Sequence, residues 1–255
     1  MRYYMNLISV AALSDNYIWL LHDAQHRCVI VDPGESEPVL QTLRIHQLTP
    51  VAILLTHHHS DHVAGVPNIL NVYYDLPVYG PNETAQCGAT HIVHDGDHIQ
   101  LLNSDFSVFS VPGHTLGHIS YYNAPFLFCG DTLFSAGCGR VFEGTMKQMH
   151  ESIEKISKLP DDTRICCAHE YTQSNLEFAH TIWPEECNIT AYLSEIRLLR
   201  EKSQSTLPTT LSLERKINLF LRCHDIDLKE KLKIKPGNIE DWQVFAQLRS
   251  KKDSF

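Results

Sequence analysis

The stretch Thr56-His57-His58-His59-Ser60-Asp61-His62 determines how the rest of this sequence is interpreted. It follows the apolar run Val51-Ala52-Ile53-Leu54-Leu55, which is typical of a buried strand. A helix is predicted to begin within residues 63–70. The polar stretch therefore lies on a loop at the carboxyl end of a strand, which is where open α/β sheets bind their ligands.

The spacing within this stretch predicts which side chains can share a metal ion. Residues two apart in an extended chain point the same way, so His57 and His59 face one side and His58 faces the other. A turn after residue 60 can bring Asp61 and His62 beside that pair. We therefore predict two adjacent ligand sets. The alternative interpretation is a histidine-rich surface loop, which is disfavoured because so many histidines would compete or repel unless something ties them together.

Three later apolar runs each end in a further side chain of the kind that binds metals: His114, Asp131 and His169. A carboxylate at the end of the apolar strand before Asp131 is costly unless it is paired, and its two oxygens could reach two metals. The alternative for Asp131 is a helix N-cap. His118 is expected to support a ligand rather than to bind a metal itself. Imidazole and carboxylate donors without thiolate suit zinc, iron or manganese.

Composition and charge limit the class of protein. The chain has 255 residues, of which 43% are hydrophobic, and this suits one large domain or one domain with a small second one. The net charge is −9 without a long basic run, so nucleic acid is not expected as the main partner. The first ten residues are too polar for a secretory signal core, and no stretch is apolar enough to span a bilayer. We therefore expect a soluble cytoplasmic protein with no membrane partner.

The pattern of apolar residues predicts a β-rich first part with interspersed helices, and helices after residue 171. The turn signal Asp32-Pro33-Gly34 is expected to follow a hairpin. None of the eight cysteines forms a Cys-x-x-Cys motif, and several lie in apolar runs, so we expect buried thiols. The predicted elements are strands over residues 17–21, 28–31, 51–55, 77–79 and 106–111, and helices over residues 36–46, 188–202, 213–223 and 238–255.

The pattern His57-x-His59-x-Asp61-His62, followed by His114, Asp131 and His169, resembles the metallo-β-lactamase superfamily over about the first two-thirds of the chain. A closer resemblance, to the hydroxyacylglutathione hydrolase (glyoxalase II) family, covers nearly the whole chain. It is carried by the ligand stretch, by Gly130-Asp131-Thr132-Leu133-Phe134, by Cys167-Ala168-His169-Glu170-Tyr171-Thr172 and by the tail Leu248-Arg249-Ser250-Lys251-Lys252-Asp253.

The resemblance implies an α/β (α+β) fold, namely a metallo-β-lactamase-like αββα sandwich with a small C-terminal all-α domain. The expected boundaries are residues 1–170 for the dinuclear metal domain and 171–255 for a helical domain that contributes substrate-binding residues. The resemblance also implies two divalent metal ions, with zinc favoured over iron or manganese. The implied ligands are His57, His59 and His114 for the first metal, Asp61, His62 and His169 for the second, and Asp131 as the bridge. The catalytic residues would be Asp61 and Asp131, acting with a metal-bridging hydroxide.

The implied substrate is a glutathione thioester such as S-D-lactoylglutathione, hydrolysed to glutathione and D-lactate in the second step of methylglyoxal detoxification. The glutathione part would be bound by Arg140, Tyr171, Arg249 and Lys252. Phe142 stands where some family members have tyrosine, so one hydrogen bond to the substrate is expected to be lost. We expect a monomer.

Other enzymes of the superfamily are the alternatives: a lactonase, a β-lactamase, a persulfide dioxygenase or an RNA-processing nuclease. The basic tail and Arg140 favour a glutathione thioester over the first two. Full dinuclear ligation argues against a mononuclear oxygenase, and the acidic net charge argues against a nuclease. A structural metal site is disfavoured because such sites are usually cysteine-rich and mononuclear.

Overall fold

The computed structural model describes residues 5–234 and 239–255. These residues form two compact units, which alternate along the chain. The first unit holds the described residues up to Ser110 together with Gly117–Gly130. The second holds Val111–Leu116 and the described residues of Asp131–Phe255.

A six-stranded sheet in the order β1-β2-β3-β4-β5-β6 forms the core of the first unit. The strands β1, β2 and β3 pair antiparallel, and the pairs from β3 to β6 are parallel. The predicted hairpin is confirmed, because Trp19 of β2 pairs with Val31 of β3. The bounds are β1 (Asn6–Ala12), β2 (Asn16–His22), β3 (Arg27–Val31), β4 (Thr49–Leu54), β5 (Val78–Gly80) and β6 (His91–Ile92).

The helices of the first unit pack against this sheet. Helix α1 (Ser36–Ile45) confirms the prediction over residues 36–46 and buries Val39 and Leu43 in the core. The helix predicted to begin within residues 63–70 is confirmed by α3 (Val66–Val72), and a short helix that was not predicted, α2 (Ser60–Val63), precedes it. The ligand stretch therefore passes directly from extended backbone into a helical turn.

Four further strands of the first unit pair antiparallel in the order β10-β9-β8-β7. Every residue of β10 is buried, as expected for an almost wholly apolar strand. Strand β8 confirms the strand predicted over residues 106–111. The bounds are β7 (His98–Leu101), β8 (Ser104–Ser110), β9 (Ile119–Asn123) and β10 (Phe126–Gly130).

The second unit contains two small antiparallel strand pairs, β11 with β12 and β13 with β14, together with six helices in its described residues. Helix α6 confirms the helix predicted over residues 188–202, and α9 confirms the last predicted helix, whose expected first residue Asn238 lies outside the described residues. The bounds are β11 (Leu133–Phe134), β12 (Gly137–Cys138), α4 (Met146–Ile156), β13 (Arg164–Cys167), α5 (Thr172–Ile182), α6 (Cys187–Glu201), β14 (Thr209–Thr210), α7 (Leu211–Ile217), α8 (Ile226–Lys231) and α9 (Asp241–Asp253).

The single helix predicted over residues 213–223 is wrong, because the helix is interrupted at Asn218. Helix α7 ends before this residue, and a short 3₁₀ turn, Leu219–Leu221, follows it. The Asn218 side chain accepts a hydrogen bond from the backbone of Phe220 and donates to the carbonyls of Phe134 and Gly137. These side-chain bonds take the place of helical backbone bonds, and those to Phe134 and Gly137 also hold the β11–β12 hairpin against α7.

Glu214 of α7 is a fully buried carboxyl beneath the same hairpin. It accepts hydrogen bonds from the Ser135 hydroxyl, the Ala136 backbone, the Thr209 hydroxyl and the Asn218 amide at 2.6–3.2 Å. Burial raises the pKa of Glu214, and the four donors oppose that shift. The hairpin that follows Asp131 thus rests on an internal acceptor rather than on apolar packing alone.

The eight cysteines carry thiols rather than disulfides. Six are buried, as predicted, whereas Cys87 is half-buried and Cys187 is exposed. Burial raises the pKa of the Cys28 thiol to about 12 and that of Cys138 to about 11. Among the described helices, none has both the length and the apolar character needed to cross a membrane.

Candidate metal centre and substrate site

The ligand loop of the first unit, residues 56–62, gathers several imidazole rings around His57. His57 and His62 are fully buried, and their ring centroids lie 4.1 Å apart. The His59 ring lies edge-on to His57 at 4.7 Å. His58 lies with its Nδ1 atom 3.4 Å from the Glu83 carboxylate. The loop thus brings together several ring nitrogens of the kind that can bind a metal.

Asp32 determines the orientation of this loop from beneath it. Its Oδ1 accepts a hydrogen bond from the Thr56 backbone at 2.8 Å, and its Oδ2 accepts from the Thr56 hydroxyl at 2.6 Å. Oδ2 also lies 3.0 Å from Nδ1 of the buried His62. A carboxylate there favours a proton on Nδ1, which leaves the Nε2 lone pair of His62 for a metal.

Thr56 extends the same arrangement to His57. The Thr56 hydroxyl donates its hydrogen to Asp32. Its oxygen can therefore only accept a hydrogen bond from Nδ1–H of His57, which lies 3.0 Å away. This assigns the proton of His57 to Nδ1 as well. Asp32 was missed in the sequence, where Asp32-Pro33-Gly34 signals a turn. The available signal was a carboxylate at the end of an apolar strand, the pattern that singled out Asp131.

Two small contacts hold Asp61 in place. The Asn16 side chain donates to the Asp61 carboxylate at 3.0 Å, and Asp61 Oδ2 lies 3.4 Å from Nε2 of His62. Gly34 lies so close that a Cβ atom there would be 1.8 Å from the Asp61 carbonyl oxygen. The glycine of the Asp-Pro-Gly turn is therefore required by the close approach of the ligand loop.

His118, the residue before strand β9, packs against the ligand loop within the first unit. It is fully buried, and its ring stacks on His57 with centroids 4.6 Å apart and planes 19° apart. Gly130, at φ +47°, leaves no room for a side chain, since a Cβ would meet the Thr56 hydroxyl and the His118 ring at under 3 Å. His118 thus contacts the predicted ligand His57 directly, and its supporting role stays a prediction.

The second unit contains three further buried side chains of this kind, His114, Asp131 and His169, here called the Asp131 group. The two Asp131 oxygens face different rings: Oδ2 lies 3.4 Å from Nε2 of His114, and Oδ1 lies 3.5 Å from Nε2 of His169. Nδ1 of His114 donates to the Arg140 carbonyl at 2.7 Å. The helix N-cap alternative for Asp131 is wrong, because strand β11 rather than a helix follows it.

The donors of both groups fit divalent metal ions. They are imidazole nitrogens and carboxylate oxygens without thiolate, the set that suits zinc, iron or manganese. In His57, His62 and His114, the Nδ1 atom is engaged by a neighbouring protein oxygen, which directs Nε2 toward a ligand. Each of these rings is thus arranged as a metal-bound histidine requires.

The predicted substrate-binding residues of the second unit differ widely in exposure. The Arg140 side chain and Phe142 are more than half exposed, whereas Arg249 is buried. Arg249 Nη1 donates to the Cys138 carbonyl at 2.8 Å, and its Nε and Nη2 atoms contact Asp253 at 3.0 and 2.9 Å. The sequence could not show that Arg249 is embedded in this way.

Lys252 and Tyr171 complete the predicted set. Tyr171 is half-buried and stacks on the ring of His169 with centroids 4.7 Å apart. The Lys252 ammonium lies near the Ser174 hydroxyl and carbonyl, at 3.1 and 3.2 Å. Burial, followed by the positive charge of Arg249, lowers the pKa of Lys252 to about 8. The charge of the Lys252 ammonium therefore changes with pH just above neutrality.

Two protein families match this chain along its length. Residues 13–108 and 110–169 match the metallo-beta-lactamase superfamily. Residues 170–255 match the family described as hydroxyacylglutathione hydrolase C-terminus. The fold is thus that of the metallo-β-lactamases, followed by a C-terminal helical region.

Among solved structures, the BLEG-1 B3 metallo-beta-lactamase is 30% identical, with a TM-score of 0.59 over 65% of this chain and 91% of that one. ETHE1 from Myxococcus xanthus is 24% identical, with a TM-score of 0.64 over 97% of this chain and 99% of that one, and supports the fold alone.

Curated relatives match over the full length. The hydroxyacylglutathione hydrolase of Pectobacterium atrosepticum is 69% identical over 98% of this chain and 100% of its own. That of Erwinia tasmaniensis is 59% identical over the same shares. With the two family matches and the fold, these identities show that the chain belongs to the hydroxyacylglutathione hydrolase family of the metallo-β-lactamase superfamily.

Proposed function

We propose that the protein hydrolyses the thioester of S-(2-hydroxyacyl)glutathione, chiefly S-D-lactoylglutathione, to glutathione and D-lactate. The observation that carries this proposal is the 69% identity, over 98% of the chain, to a relative named hydroxyacylglutathione hydrolase. The donor chemistry of the ligand loop and of the Asp131 group supports a metal-dependent hydrolase.

The fold and the histidine and aspartate donors indicate a dinuclear metal site. For its ligands, we propose the assignment that the family resemblance implies: three histidines for the first metal, Asp61 and two histidines for the second, and Asp131 shared. The engaged Nδ1 atoms and the two-sided position of Asp131 support it. We propose zinc, with iron or manganese as the alternatives. The proposed first set is His57, His59 and His114, and the second is Asp61, His62 and His169.

Two bound metals would supply a hydroxide at neutral pH and polarise the thioester carbonyl. The protein's part is to hold the donors and orient the substrate. Asp61 and Asp131 would be the carboxylates that hold the metals. The leaving group is a thiolate whose thiol has a pKa of about 8.5, so it departs without a dedicated protein acid.

The glutathione part of the substrate carries carboxylates, which Arg140 and Lys252 suit by charge and by partial exposure. Tyr171 can add a hydroxyl contact, whereas Phe142 cannot donate a hydrogen bond. The buried Arg249 is engaged with Cys138 and Asp253, so we propose that it contributes mainly by holding neighbouring groups.

We also propose a boundary between a metal domain, residues 1–170, and a helical domain, residues 171–255. It is supported by the two family matches, which meet between residues 169 and 170. A monomer in the cytoplasm, acting on a small molecule rather than on nucleic acid or membranes, remains part of the proposal. The net charge of −9 supports the exclusion of nucleic acid.

The test is thiol release from S-D-lactoylglutathione before and after metal removal by a chelator, with zinc, iron or manganese then added back singly. We expect fast release that is lost on chelation and restored by at least one metal. Asp131→Asn should abolish release and lower the bound metal, whereas Asp105→Asn, an exposed aspartate on β8, should do neither. Absence of thiol release by the fully metallated protein would overturn the proposal, and lactones would be tested next.

A further inference from the structure

The carboxylate of Asp253, the last residue of α9, joins two arginines of the second unit. Its Oδ1 atom lies 3.3 Å from Nε of Arg140, 3.0 Å from Nε of Arg249 and 2.9 Å from Nη2 of Arg249. The Arg249 guanidinium is buried and donates at its other side to the Cys138 carbonyl at 2.8 Å. Asp253 is therefore anchored by a group that cannot itself swing out into solvent.

The backbone of Arg140 is tightly packed, whereas its side chain is largely exposed. Its carbonyl accepts the hydrogen bond from Nδ1 of His114, and the preceding Gly139 admits no side chain, since a Cβ would lie 1.8 Å from the Asp131 carbonyl oxygen. The backbone is thus closely packed against two predicted metal ligands. The side chain, in contrast, is 56% exposed, and its Nε atom lies 3.3 Å from the Asp253 carboxylate.

An exposed arginine side chain loses rotamer freedom when a ligand immobilises it. A carboxylate that already holds Nε removes part of this cost in advance and leaves the terminal nitrogens for a ligand. The Phe142 ring, 5.9 Å from the guanidinium carbon of Arg140, gives the same side chain a weaker second contact. The arrangement therefore favours one orientation of Arg140.

We infer that Asp253 is a positioning residue that orients Arg140 toward a carboxylate of the substrate, with Arg249 as the anchor. The inference rests on the proposed function and adds a specificity element to it. It favours thioesters whose thiol part carries carboxylates. Asp253 would then act on substrate binding rather than on the hydrolytic step.

The charges on the described residues agree with this role. Arg140, Arg249 and Lys252 bring three positive charges, and Asp253 offsets one of them. The net positive charge of these four side chains suits the net negative charge of a glutathione thioester, whose two carboxylates outweigh its one ammonium. The opposing possibility is that Asp253 competes with the substrate for Arg140, and this predicts the reverse effect on KM.

The experiment compares Asp253→Asn with the wild-type enzyme on two thioesters of the same acyl group. One is S-D-lactoylglutathione, and the other carries N-acetylcysteamine, a thiol without carboxylates. We expect KM for the glutathione thioester to rise about tenfold, the scale of one charge-assisted hydrogen bond, with kcat within about twofold. The kcat/KM for the neutral thioester should not change.

The matched control is Asp241→Asn. Asp241 lies on the same helix, pairs with Lys229 at 2.8 Å, and is about 18 Å along the helix axis from Asp253. It should leave both substrates unaffected. Arg140→Lys is a second variant: it keeps the charge on an exposed side chain but removes Nε, and it should raise KM for the glutathione thioester alone. The double variant Arg140→Lys/Asp253→Asn should be less than additive.

Several results would overturn the inference. A KM that is unchanged or lowered in Asp253→Asn would mean that Asp253 is neutral or competes with the substrate. Equal losses on both thioesters would mean a general structural role. Additive effects in the double variant would separate Asp253 from Arg140. Failure of the wild-type enzyme to cleave S-D-lactoylglutathione would instead overturn the proposed function, and this inference with it.

Discussion

Replacing Asp32 with asparagine perturbs the orientation of the ligand loop without removing a predicted metal ligand. Asp32 lies at φ +51°, a left-handed conformation that asparagine tolerates well, so the backbone should not change. The amide oxygen can still accept from the Thr56 backbone. The amide nitrogen, however, donates hydrogen toward the Nδ1 atom of His62, which lies 3.0 Å away in the wild-type protein.

This contact reverses the preferred tautomer of His62. The ring can accept from the amide only with its proton on Nε2, the nitrogen that a metal would need. Loss of such an orienting partner typically lowers metal affinity 10- to 100-fold, or by about 1.4 to 2.8 kcal/mol. Since Asp32 and His62 are both buried, water cannot substitute readily for the lost acceptor.

The assay is a competition titration of zinc against a chelator of known affinity, with metal content measured separately. We expect Asp32→Asn to bind zinc 10- to 100-fold more weakly and to lose activity at limiting zinc, with recovery at high zinc. The control is Asp23→Asn, which alters another buried aspartate of the first unit that bonds to Arg27 and its turn. Wild-type zinc affinity in Asp32→Asn would refute the assignment of the His62 tautomer.

Two further predictions concern the second unit. Because burial and Arg249 lower the pKa of Lys252 to about 8, its ammonium deprotonates as pH rises through that value, so KM for S-D-lactoylglutathione should rise between pH 7 and 9 with little change in kcat. Lys252→Arg should flatten this rise, and a KM independent of pH in the wild-type enzyme would contradict it. Replacing Glu214 with leucine leaves the four buried donors that bond to its carboxyl without an acceptor. It should therefore lower the free energy of unfolding in urea by about 3–5 kcal/mol. Glu214→Gln should cost less, because the Ser135 and Thr209 hydroxyls can rotate to accept from the amide, and equal losses for the two variants would be inconsistent with this network.

The strands near the predicted ligands could be recognised because each is an apolar run that ends abruptly in a polar side chain. Strand β10, wholly buried and followed by Asp131, is the clearest case. The same rule applies to β3 and Asp32, yet Pro33 and Gly34 after it also signal a turn, and the turn interpretation masked the carboxylate. Local sequence cannot distinguish a turn aspartate from one that orients a histidine 30 residues away.

Other features depend on contacts that are distant in sequence. The break at Asn218 follows from its bonds to the carbonyls of Phe134 and Gly137, more than 80 residues earlier. The burial of Arg249 likewise depends on Cys138, 111 residues away. Helix α4 is different: it buries Met149, Ile153 and Ile156 with helical spacing and begins with a capping box at Thr145, so local signals existed and were overlooked.

The buried thiols have a consequence for an enzyme that releases a thiol as its product. Thiol–disulfide exchange between a protein cysteine and oxidised glutathione requires a protein thiolate. With a pKa of about 12, about one Cys28 side chain in 100,000 is a thiolate at pH 7, and with a pKa of about 11 the fraction for Cys138 is about one in 10,000. Cys138 also carries the carbonyl that anchors Arg249. The protein can therefore work in a glutathione pool of changing redox state without mixed disulfides forming at these positions.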